Sequence, residues 1–407
     1  MYRSLMTDRM DFYNSHETKP QIILSFLPFT LFFPIGVGYA GMLLFFVALL
    51  LNGDYRGKWQ TVKNSPMFWP TLGLLLVTCG AGLFLTRPDG FWKAFMHYQN
   101  YLVLLLFISV GGGRWQQRAL YVFFAGAVYA ATLFYLNYFQ LLPDWAIFQN
   151  YIQYAGNKSI LIGILLGIAG GWMLNEIFSR RDGKLLMIAA FLYISFALFV
   201  FAKTRTGSII FILGCAIVML RYLTLSRRSL LIALVLALAM GGAWQNAHDF
   251  RERLTGTVQD VKAFMQGGQV SAEGIRLEMY RITGDIIMER PLGGHGIGTW
   301  VINYEERAKG LPSETMATPH NDYLLYAAEI GILGVLALLW IWVTQLVVAV
   351  RVGGDAGVRL FTIGVAIMFG GMVNAIMRDA LFGIAFMLLL SIPLAGISRS
   401  RYSQKHY

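Results

Sequence analysis

Long apolar runs joined by short polar turns make up most of the chain. They lie near residues 21–36, 37–52, 67–86, 94–110, 119–140, 159–178, 185–202, 207–223, 229–246, 321–349, 358–377 and 380–398. An apolar layer about 30 Å thick needs about 20 helical residues to cross it, so the pattern predicts an all-α polytopic membrane protein with about twelve transmembrane helices. The first two runs are one apolar stretch, parted only by Phe33-Pro34-Ile35-Gly36. One segment, from about His248 to Glu329, is long and polar instead. Within it Phe250, Leu254, Val258, Val261 and Met265 recur at helical spacing, and so do Ile275, Met279, Ile282 and Ile286, ahead of Pro291. Two amphipathic helices are expected there. The chain divides accordingly into nine spans (1–246), a large loop (247–320), and three further spans with a short tail (321–407).

Charge then orients the spans. Only 14% of the residues are charged, against about 25% in soluble domains. The net charge of +11 would suit a nucleic acid in a soluble protein. Here Arg56, Lys58, Lys63, Arg114, Arg118, Arg180, Arg181, Lys184, Arg221, Arg227, Arg228, Arg351, Arg359, Arg399 and Arg401 fall in short joints on alternate sides of the runs. That is the bias of cytoplasmic loops, so no nucleic-acid partner is expected. Both termini are read as cytoplasmic and the large loop as external. The polar first twenty residues offer no cleavable signal. Cys79 and Cys215 lie inside apolar runs and are read as small buried hydrophobes.

Basic groups on the outer side run against this bias and draw attention. Lys203-Thr204-Arg205-Thr206-Gly207-Ser208 opens the eighth run. Thr206 or Ser208 can cap the helix there, and its free amides with the Arg205 guanidinium would form an anion site. Arg276 and Tyr280 are one turn apart, off the apolar stripe of the second loop helix. Gly293-Gly294-His295-Gly296-Ile297-Gly298 superficially resembles a nucleotide loop, but it follows no strand, so a tight turn is expected, with His295 part of it. In Thr318-Pro319-His320-Asn321-Asp322-Tyr323-Leu324, Thr318 is the expected N-cap and Pro319 the first helical residue. His320 would then sit in the first helical turn, where the dipole disfavours imidazolium and Asp322 opposes that effect. A neutral imidazole suits a general base. Arg378-Asp379 and His97, with Gln99 and Asn100, lie at outer ends of other runs. No Asp-x-Asp, His-Glu-x-x-His, Gly-x-Ser-x-Gly or P-loop pattern occurs, so no metal and no cofactor is expected.

These motifs in this order resemble the O-antigen ligase family, within the ligase/polymerase superfamily of bacterial envelope glycosyltransferases. They are Arg205 to Ser208, an Arg276 helix that ends in Arg290 to Gly298, Pro319 to Leu324, and Glu329 to Gly334. The resemblance covers most of the chain and implies a GT-C-like membrane fold. It implies metal-independent, inverting transfer of a glycan from undecaprenyl pyrophosphate to a sugar hydroxyl of lipid A-core, on the periplasmic side of the inner membrane. It also implies that Arg205, Arg276 and His320 are catalytic. Arg205, Arg276, Tyr280, Lys203 and Asp322 would contact substrate, and the polyprenyl tail would lie among lipid-facing helices. An O-antigen polymerase and a protein O-oligosaccharyltransferase share the motifs and differ in acceptor. The modest length of the chain favours the ligase. A transporter fits less well: its ionisable groups belong near the bilayer midplane, often with internal repeats.

Overall fold

The computed structural model describes residues 17–143, 157–180, 182–202, 204–222 and 272–399. The apolar run 229–246, the expected helix over 250–265, His248 and Lys203 lie outside the described residues. Among the described residues all regular structure is helical. The helices are α1 Lys19–Thr30, α2 Ile35–Leu51, α3 Tyr55–Asn64, α4 Phe68–Phe84, α5 Phe91–His97, α6 Asn100–Ile108, α7 Trp115–Tyr138 and α8 Asn157–Ser179. They continue with α9 Lys184–Phe196, which ends in a π turn over Ala197–Phe201, then α10 Arg205–Tyr222, α11 Ala272–Glu289 and α12 Trp300–Arg307. Last come α13 Asp322–Ile330, α14 Ile332–Val352, α15 Gly354–Val373 and α16 Ala380–Leu394.

Among the described residues six helices are long and apolar enough to cross a membrane. They are α7, α8, α9 with its π turn, α10, α14 and α15. A bent pair, α2 with α3, would make a seventh, and α4 and α16 are shorter apolar helices. This is fewer than the expected twelve, and local chemistry explains part of the difference. The first apolar stretch breaks at Pro34, which precedes α2. The run 94–110 is two helices, because the Asn100 side-chain amide turns aside to donate to the His97 carbonyl (2.9 Å) and the Met377 carbonyl (2.7 Å). The run 321–349 parts at Gly331, whose φ of 75° suits glycine far better than other residues.

Close helix approach sets the frame of the bundle. On α8, Gly163, Gly167, Gly170 and Gly171 face Thr204, Gly207, Phe211 and Gly214 of the α10 segment, and α15 lays Thr362 against the same seam. Small residues four apart let helix backbones touch, and here α8 and α10 run parallel. A methyl group at Gly207 would lie 2.4 Å from the Gly163 carbonyl carbon and oxygen. Overpacking of this kind costs about 1–3 kcal/mol or more. Gly207→Ala is therefore expected to lower the melting temperature of the detergent-solubilised protein, and a melting curve matching the parent's would show that the seam relaxes at little cost.

The two ends of this frame differ in chemistry. At one end Glu176, 3% exposed, accepts from Arg180 Nε (2.9 Å), the Tyr121 hydroxyl (3.0 Å) and the Arg359 guanidinium. Arg114, Gln116 and Asp355 line the same polar recess. A carboxylate this deep is held by several charge-assisted donors, as burial requires. The joints that carry Arg114, Arg180 and Arg359 thus meet at one end of the bundle, as the charge pattern anticipates. Gly163 touches Thr204, and Gly370 lies beside Ile164 and Ile376. The start of α10 and the end of α15 therefore share the opposite end.

Candidate active site where the polar loop meets the bundle

Arg205 is the first residue of α10, at that opposite end. The cap is not Thr206 or Ser208. Thr204 Oγ1 accepts from the Gly207 amide (3.1 Å), and the Ser208 hydroxyl donates back to the Thr204 carbonyl (3.0 Å). Thr204 stands three residues before the amide it caps, the spacing of an N-cap. The expected helix start thus holds with the cap two residues earlier, and half-buried Arg205 follows it directly.

The loop helix α11 matches its expected stripe. Met279, Ile282 and Ile286 are buried against Trp300, Tyr304, Leu325, Ala328 and Ala375, with Ile275 packed alongside. Burial of such side chains contributes roughly 1.5–3 kcal/mol each. The Trp300 indole N–H donates to Thr283 Oγ1 (3.0 Å), which ties α12 to α11. Arg276 and Tyr280 fall off the stripe and are half-buried. The Tyr280 hydroxyl reaches the Met372 carbonyl at the end of α15 (3.4 Å).

The glycine turn after α11 is a structural clasp. The amides of His295 and Gly296 donate to the carbonyls of Ala328 (3.0 Å) and Glu329 (2.9 Å), and the Ile332 amide donates to Pro291 (2.9 Å). Gly294 has φ 72° and would drive a Cβ to 2.5 Å from the Glu329 carbonyl carbon. The buried Glu329 carboxylate accepts from the Tyr98 hydroxyl (2.6 Å) and the Trp300 amide (3.3 Å). His295 Nε2 meets the Ile286 carbonyl (2.8 Å). The tight turn expected from the glycines is present, and it locks the loop helices onto the break at Gly331.

His320 stands just ahead of α13, not in its first turn. Asn321 is the N-cap: its side chain accepts from the Leu324 amide (3.0 Å), and Asp322 is the first helical residue. Thr318 Oγ1 instead accepts from the His320 amide (3.2 Å). His320 has φ 47°, a left-handed conformation uncommon for a residue with a side chain; strain of this kind clusters at functional sites. Its Nδ1 lies 3.0 Å from Asn374 Oδ1. Three further residues of the motif grip the same stretch. Asn321 Nδ2 donates to the Met372 carbonyl (3.0 Å), and the Tyr323 hydroxyl donates to Met368 (3.2 Å). The Asp322 carboxylate accepts the Met377 N–H (3.1 and 3.2 Å). Asp322, expected at the substrate, is fully buried and points into this backbone turn. Arg378 donates to the Ala317 carbonyl, which closes the clasp from the other side.

Burial holds the His320 imidazole below its ordinary range. The hydrogen bond to Asn374 raises it in part, and the positive charge of nearby Arg276 lowers it again. Asp322 is not among the causes, so the opposing effect expected of it is absent. The site therefore brings His320 and Arg276 together, with Tyr280 one turn on and Arg205 at the same end of the bundle. Asn374 was not anticipated. The signal for it was a lone amide, Asn374, closing the apolar run that ends in Gly-Gly-Met-Val.

The long apolar helices mark a multi-pass membrane protein, and a half-buried imidazole and a guanidinium meet where the polar loop joins them. Residues 189–339 match the family model described as O-antigen ligase, a likeness that supports the resemblance drawn from the motifs. The match includes Arg205, Arg276 and His320 and ends before Asn374. No curated protein matches the chain significantly. The match supports a ligase- or polymerase-type function in general, a family whose substrates are lipid-linked glycans and lipid acceptors.

Proposed function

We propose that the protein is an O-antigen ligase. It transfers glycan from undecaprenyl pyrophosphate to a sugar hydroxyl of lipid A-core, on the periplasmic side of the inner membrane, within a GT-C-like fold of about twelve spans. The observation that carries this reading is the pairing of half-buried His320, its pKa lowered by burial and by Arg276, with that guanidinium where the polar loop meets the bundle. In the reaction the acceptor hydroxyl attacks the anomeric carbon and its proton passes to His320 Nε2. The bond from that carbon to the pyrophosphate oxygen breaks, and its electrons leave with the lipid. Arg276 and Arg205 face the charge that grows on the leaving group, where a planar guanidinium can pair two phosphate oxygens. Tyr280 and Lys203 would complete the pyrophosphate contacts, and Asp322 would hold the turn behind His320. No metal takes part in this scheme.

A strain that lacks the protein tests the reading through its glycan profile. Loss of all long glycan from lipid A-core, with lipid-linked polymer accumulating, is the result expected of a ligase. Attachment of single repeats would instead identify a polymerase, and an unchanged profile would overturn both.

A further inference from the structure

The Asn374 amide has a fixed orientation, and this determines which nitrogen of His320 carries the proton. Oδ1 of Asn374 accepts from the Ala375 backbone N–H (2.9 Å). A backbone N–H can only donate, so the atom it meets must be the side-chain oxygen. The same oxygen lies 3.0 Å from His320 Nδ1, so Nδ1 must supply the hydrogen. In neutral imidazole the other nitrogen, Nε2, then holds the lone pair. Asn374 is 8% exposed and closes α15 with φ −155° and ψ 155°. The strand-like backbone there is clamped by the contacts of Met377 to Asn100 and Asp322.

We infer that Asn374 is a positioning residue that fixes the tautomer and plane of His320, so that Nε2 is the nitrogen presented to the acceptor hydroxyl. This rests on the reading of His320 as the base. It adds that the base is built by two distant segments and needs an acceptor at Nδ1. A neutral amide oxygen suits this role. It orients the ring yet raises the imidazole pKa less than a carboxylate would, leaving the base neutral near pH 7.

The charged and titratable groups around the ring matter to the test. The charge of Arg276 on α11 acts on it, Tyr280 of the same helix donates to the Met372 carbonyl, and Arg378 holds the Ala317 carbonyl three residues before it. Asp322 and Tyr323 turn away from it to the α15 end. Two variants separate positioning from mere support. Asn374→Leu removes the acceptor and should lower kcat about tenfold or more, as loss of the correct tautomer does elsewhere, with binding of a lipid pyrophosphate analogue unchanged. Asn374→Asp restores an acceptor with a negative charge. It should recover transfer relative to Asn374→Leu, with the acid limb of its pH–rate profile moved to higher pH. Both proteins would be compared at equal folded fraction, from their melting curves in detergent. A folded Asn374→Leu with the parent's kcat would overturn the inference, as would an Asn374→Asp profile superimposable on the parent's. If His320→Ala itself keeps full transfer, the base assignment has failed instead.

Discussion

His320→Ala is expected to lower glycan transfer by about 10²–10⁴-fold, the range a positioned general base supplies, while binding of a lipid pyrophosphate analogue stays nearly intact. The split follows from geometry. His320 lies ahead of α13 with Nδ1 committed to Asn374, so in the proposed reaction Nε2 is the nitrogen that takes the proton. Burial and Arg276 hold its pKa below the ordinary value, which is about 6.5. In the proposed reaction the active form is the neutral one. Transfer should therefore persist through pH 7 and fall only as the pH drops through the lowered pKa. Arg276→Ala removes a cause of the lowering, so its residual activity should be lost at higher pH than the parent's. Retention of full transfer by His320→Ala would return the residue to a structural role at the start of α13.

Arg276→Ala and Arg205→Ala should each reduce kcat/KM by about ten- to over a hundredfold. One charge-assisted phosphate contact contributes roughly 1.5–3 kcal/mol, which converts to that range when it is realised in the transition state. Arg→Lys keeps the charge but loses the two-pronged donor, so each lysine variant should fall between parent and alanine. Direct binding of the lipid pyrophosphate analogue separates these residues from His320. If Arg276→Ala spares that binding and His320→Ala abolishes it, the two roles are exchanged.

Much of this arrangement could be read from the chain, and the limit has a physical cause. Periodicity identifies which face of a helix is apolar. It therefore marked Met279, Ile282 and Ile286 as packed and left Arg276 and Tyr280 off the stripe. Glycines ahead of a polar-to-apolar boundary marked the turn at Gly294. Periodicity does not say which helix meets which, and so Asn374, 54 residues from its partner, stayed hidden. The same blindness misdirected Asp322. A carboxylate beside a candidate base looks like a substrate contact until α15 returns and presents the Met377 amide to it. Caps were misassigned for a local reason: several hydroxyl and amide side chains competed within four residues, and Asn321 and Thr204 prevailed.

Four consecutive residues, His320 to Tyr323, spend their side chains on a stretch between Met368 and Met377 that is made later by the ribosome. While the chain is being synthesised, the Asp322 carboxylate, fully buried in the finished protein, has no partner until that stretch has emerged. A nascent protein that ends before residue 377 would present an uncompensated carboxylate at the head of an apolar helix. The order of manufacture thus leaves the motif incomplete until the last helices are made. A product that ends before Asn374 lacks the side chain that holds His320 Nδ1.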